Sequence, residues 1–199
     1  CDAAGIPVIT MARQSNSENV TAARVYNEPQ FAINQLEALA QDFPDGAKVV
    51  YLYGPNTASY AQIQMNDGLL ANLDNYPGIE MIEIFEDEQD TQEVGVQLAT
   101  DAITKYGDEI DAIAATNDGL AIGAVQAVKS AGYEGEISVY GSSALPQGMV
   151  AIRDGFMAFT NMKSQAILAE TMVQLALDVL EGNDFEEFGL IDPVPINMD

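Results

Sequence analysis

Apolar residues recur along this chain in two alternating rhythms. Short apolar runs stand at Ile6 to Met11, Ala47 to Tyr53, Glu80 to Phe85, Ala112 to Ala115, Ile137 to Tyr140 and Met157 to Asn161. Their length and β-branched or aromatic content read as strands. Between and after them, apolar positions three and four apart predict helices over about 29–42, 59–75, 91–106, 119–131, 147–154 and 165–181. Parallel strands need helical crossovers, so this alternation predicts an α/β fold with a mostly parallel sheet and helices on both faces. Asn117 and Asp118 stand where a strand gives way to a helix, and Gly132 stands where that helix should stop. Pro193 and Pro195 restrict the tail from Ile191 to Met198 to an edge strand or an extended strap.

Composition narrows the chemistry. The 199 residues are 48% hydrophobic, enough to bury a core. The 31 acidic residues outnumber the 7 basic ones, for a formal charge of −24. That balance repels phosphate backbones and anionic lipids, and the cations are scattered singly, so no nucleic-acid partner is expected through this segment. Self-repulsion of this size suits a salty or acid-tolerant setting. The absence of His and the lone Cys1 remove the commonest catalytic base and any internal disulfide, so an enzyme is not expected. Cys1 reads either as a lipid-bearing first residue or as an ordinary chain start; strand sequence follows it with no flexible spacer, which favours the second.

In an open parallel sheet, ligands bind outside the carboxyl ends of the strands. The loops there are Met11 to Ser15, Gly54 to Gln62, Asp87 to Thr91, Thr116 to Asp118, Gly141 to Leu145 and Asn161 to Ser164. They are rich in Asn, Gln, Ser and Thr, with Arg13 and Lys163 as their cations. Such a set hydrogen-bonds hydroxyls or a small anion but offers no nucleophile beside a base. Candidate ligand contacts are therefore Arg13, Gln62, Asp90, Asn117, Ser143 and Lys163. Each has a plainer role open to it: Asn117 as a helix cap, Arg13 and Lys163 as solvated cations. Asp118 reads as structural. No cofactor is implied. The acids at Glu83, Glu86, Asp87, Glu88 and Asp90 lack the spacing of a calcium loop and read as a solvated face.

Several segments, in order, resemble the sugar-binding, ribose-binding-protein-like family of type I periplasmic binding proteins. They are Gly5 to Thr10 with Arg13-Gln14, Gly46 to Val50, Ala115-Thr116-Asn117-Asp118 with Ala121 to Ala124, Val139-Tyr140-Gly141, Ala151 to Gly155, and Thr160. The resemblance implies largely one lobe of a two-lobed fold. Residues 1–13 would end the N-terminal lobe and cross over, 14–161 would form the C-terminal lobe, 162–185 would be a helix of the N-terminal lobe, and 186–199 a terminal strand or strap. Roughly a hundred residues of the N-terminal lobe would then be missing from the chain. It also implies an extracytoplasmic solute-binding component of an ABC importer, with a sugar-like ligand and a permease as partners. The alternative on the same fold is the ligand-sensing domain of a lactose-repressor-like regulator or a receptor. Arg13 and Asn117 match sugar-contacting positions, whereas Ala12 and Ser143 stand where the family has Asp, and Ile63 where it has Arg. Asp90 falls near an aromatic stacking position and Lys163 near a glutamine. The apolar residues of the 165–181 helix must be covered, by displacement of the helix or by self-association.

Overall fold

The structure, a computed structural model, describes residues 1–13, 15–54 and 60–198, without the side chains of residues 2, 60–62 and 64. In chain order the elements are β1 (Ile9–Ala12), β2 (Ala22–Tyr26), α1 (Glu28–Asp42), β3 (Ala47–Tyr53), α2 (Tyr60–Asn72), β4 (Ile79–Glu86), α3 (Gln92–Tyr106), β5 (Ala112–Ala115), α4 (Asp118–Ala131), β6 (Ser138–Tyr140), α5 (Pro146–Arg153), β7 (Phe159–Met162), α6 (Gln165–Glu181), β8 (Phe188–Ile191) and β9 (Val194–Asn197). They form two compact units, the first of Cys1–Asn27 with Lys163–Pro193, the second of Glu28–Met162 with Val194–Asp199. The first division falls between Asn27 and Glu28, whereas the sequence placed a crossover at 13 and 14. The physical reason is β2, a strand the sequence reading lacked, which pairs parallel with both β1 and β8.

The second unit is built on six strands in the order β4-β3-β5-β6-β7-β9, parallel except for the antiparallel β9 at one edge. Alternation along the strands sends successive residues to opposite faces. On one face Val50, Leu52, Ile113, Ala115 and Val139 pack with Leu98, Ala102, Leu120, Ala124 and Val128 from α3 and α4. On the other, Tyr140 donates a hydrogen bond to Asp42 of α1 (2.5 Å), and Phe31, Leu36 and Leu39 of α1 are fully buried. The two layers follow from apolar faces that leave Val49, Val50, Tyr51 and Leu52 without solvent contact, the mark of a strand covered on both sides. α3 and α4 cross closely because Gly95 and Gly123 sit at the contact; a Cβ on Gly95 would strike the backbone of Leu120. Thr91 caps α3 by accepting from the Val94 N–H, and Gly132 ends α4 in a left-handed conformation at φ 83°. Pro195 lies on edge strand β9, where a missing N–H costs no interior pairing.

The first unit has three parallel strands in the order β1-β2-β8, with α6 packed on β1 and β2. Ser164 caps α6 and Gly182 closes it at φ 71°. α6 buries Leu168 and Leu175 but exposes Ile167, Val173, Leu177 and Leu180. The guanidinium of Arg24, in the middle of β2, donates to the carbonyls of Ala23 (2.8 Å) and Glu186 (3.0 Å).

Candidate functional site

Because β3 to β7 all run parallel, their carboxyl ends open on one edge of the second unit. Asn117 stands there between β5 and α4. Its extended backbone (φ −150°, ψ 167°) makes it the N-cap of α4, where its Oδ1 accepts from the Leu120 N–H at 2.8 Å. Its Nδ2 donates to the carbonyl of Asp90 at 3.2 Å. The capping reading and the site reading are therefore compatible: after both bonds the half-buried amide keeps one N–H and one oxygen lone pair. Asp90 is thereby fixed beside Asn117, at the loop that leads from β4 into α3. The neighbouring acids do not act as a cluster. Glu83 is held by Lys105 (2.6 Å) and by the Tyr106 hydroxyl (2.6 Å), and these bonds keep its carboxyl below the usual range. Among the described residues no group of three His, Cys, Asp or Glu side chains is placed to hold a metal ion.

Ser143 lies in the loop that follows β6, on the same edge. Ser143 and the next residue, Ala144, have φ of 126° and 52°. Side chains other than Gly seldom adopt this region, at a cost of order 1 kcal/mol each, so the surrounding structure must hold them. The Ser143 N–H donates to the Asn161 carbonyl (2.8 Å), the Ala144 N–H to Thr160 Oγ1 (3.2 Å) and the Leu145 N–H to Asp118 Oδ2 (2.6 Å). Thr160 Oγ1 in turn donates to Asp118 Oδ1 (2.6 Å). Asp118 has no solvent exposure. Burial pushes its carboxyl pKa up, while the bonds from Thr160 and from the Leu145 and Ser142 backbones pull it down.

Gln62 lies on α2, and its side chain is outside the described residues. Arg13 and Lys163 belong to the first unit. Arg13 is exposed, directly after Ala12 at φ 65°. The Lys163 ammonium is 5.4 Å from the ring centre of Tyr26, within cation–π range. Asn161, placed by its sequence in a ligand-facing loop, is instead a fully buried member of β7. It accepts from Asn34 and donates to the Phe31 carbonyl, which ties β7 to α1.

One polar residue behind this edge escaped the sequence reading. Gln35 of α1, fully buried, donates through Nε2 to the carbonyls of Ala115 and Gly141, both at 2.8 Å. It thereby clamps the carboxyl ends of β5 and β6, from which Asn117 and Ser143 are presented. The available signal was its spacing: Phe31, Gln35 and Leu39 share one helical face, so a polar group there had to be buried and bonded.

The periplasmic binding protein domain family matches residues 1–184. The chain is 25% identical over 183 residues to the D-xylose-binding periplasmic protein of Escherichia coli (strain K12), covering 90% of this chain and 55% of that protein. It is 27% identical over 181 residues to the ribose import binding protein of Haemophilus influenzae, covering 91% of this chain and 60% of that protein. It thus spans little more than half the length of these curated relatives. Among solved structures, the periplasmic ribose ABC transporter protein from Conexibacter woesei superposes with a TM-score of 0.89 over 99% of this chain and 66% of that one, at 18% identity, a likeness of fold. With the family matched along most of its length and the parallel sheet in place, the chain belongs to the periplasmic binding protein domain family.

Proposed function

We propose that this chain forms part of the extracytoplasmic binding component of an ABC importer, and that its ligand is a sugar or another small polar molecule held at the carboxyl edge of the second unit. The observation that carries this reading is Asn117, whose cap bond and bond to Asp90 orient the amide and leave one donor and one acceptor for a hydroxyl. The relatives named for D-xylose and for ribose support a sugar-like ligand. By the family resemblance, Ala12 and Ser143 stand where an Asp and Ile63 where an Arg would grip hydroxyls strongly, which favours a ligand other than ribose itself. Among the described residues no helix is long and apolar enough to cross a membrane.

Calorimetry with D-xylose, D-ribose and xylitol on the full-length protein tests the reading. Asn117→Asp keeps a capping oxygen and loses the amide donor to the ligand and to the Asp90 carbonyl, so it should weaken the bound sugar about tenfold or more. Absence of binding by every sugar would remove the sugar reading, and an unchanged affinity in Asn117→Asp would remove Asn117 from the site.

A further inference from the structure

Asp118 is an acid enclosed with hydroxyl and backbone partners instead of a cation. As the first residue of α4 it would ordinarily serve the helix terminus. Its side chain does something else. It crosses to the loop after β6 and to Thr160 on β7, and two glycines are shaped around it: a Cβ on Gly141 or on Gly148 would collide with the carboxylate. The loop it reaches contains the two left-handed residues Ser143 and Ala144, and its three successive N–H groups end on Asn161, Thr160 and Asp118. The Asp118 N–H also donates to the Ser142 carbonyl at 2.7 Å, so the residue grips the loop from both its backbone and its side chain. Asn117, next in the chain, is held by α4 and Asp90.

We infer that Asp118 is a positioning residue for ligand binding: through Thr160 and the backbone of residues 142–145 it sets where Ser143 stands relative to Asn117. This rests on the reading of that edge as the sugar site. A carboxylate suits the task because both of its oxygens accept short bonds at once, whereas an amide has one accepting oxygen for the Leu145 N–H and the Thr160 O–H together.

Amide hydrogen exchange by NMR on the chain tests the hold without any ligand. In Thr160→Val, which removes the bridging hydroxyl at nearly constant volume, the amides of Ser143, Ala144 and Leu145 should exchange about tenfold faster, those of β3 and β5 changing about twofold at most. Thr160→Ser should restore the loop. In Asp118→Asn the Leu145 amide proton should move upfield as its charge-assisted bond is lost. Loop exchange that rises only in step with β3 and β5, or a Thr160→Ser variant no better than Thr160→Val, would make Asp118 a general stability residue and overturn the inference. Titration of the full-length protein with D-xylose and D-ribose separates the two readings. A loosened loop with unchanged affinity in Thr160→Val would overturn Asp118 as a positioning residue for the ligand, whereas no sugar bound by the unaltered protein would overturn the edge as a sugar site and leave the hold on the loop standing.

Discussion

The two units of this chain treat the same kind of amphipathic sequence differently. In the second, every central strand is covered on both faces and residues such as Val49, Val50, Ile113 and Leu120 have no exposure. In the first, three strands and one long helix leave Val173 63%, Leu180 75%, Leu190 55% and Met11 56% exposed. These large apolar side chains stand exposed on the helix and on the strands of its sheet alike. The contrast teaches that hydrophobic periodicity specifies which face an element buries, not that a chain supplies the partner for it.

Core deletion in the second unit gives the largest expected effect. Leu120→Ala, at a site with no exposure beside the close α3–α4 contact, should cost about 3 kcal/mol by denaturant titration, because tight packing limits collapse around the cavity. A loss near zero would mean that the second unit is not the rigid one. A smaller effect comes from Asp118, whose folded-state pKa lies above its ordinary 3.8 because of burial. The folded state then holds the proton more tightly than the unfolded one, so this group favours folding below pH 3.8 and that contribution is lost as pH rises through the raised pKa. Subtracting the stability-against-pH curve of Asp118→Asn from that of the unaltered chain isolates it; a difference that grows more favourable with rising pH over that window would contradict the sign. The smallest effect is expected on the open helix face of the first unit. Leu180→Ser should change stability by no more than about 0.5 kcal/mol in denaturant titration. A large destabilisation would show that this face is already packed.

Much of the second unit, and the long helix of the first, were legible before the structure. The strand Ala47–Tyr53 and the helix Gln165–Glu181 have the bounds their patterns predict, and Gly132 stops α4 as its place after the periodic stretch requires. These elements carry their own signals of period, cap and stop. β2 and β8 did not. Arg24 interrupts the apolar pattern of β2; half-buried, it donates to the Ala23 and Glu186 carbonyls. β8 is four residues after an acidic stretch, and its pairing with β2 is what makes it a strand. Asn117 was legible as a helix cap because a cap position advertises itself locally. The roles of Gln35, Thr160 and Asn161 were not, since each depends on partners brought from distant points in the chain.

The sequence by itself determined the α/β class, the parallel order of elements and the edge where polar loops gather, because these follow from short-range periodicity and from the geometry of parallel crossovers. Only the tertiary structure decided that residues 1–27 join 163–193, that Asn161 is consumed by α1, and that a buried carboxylate holds the left-handed loop bearing Ser143. Such outcomes turn on which distant groups meet at hydrogen-bonding distance, and no local pattern encodes that distance.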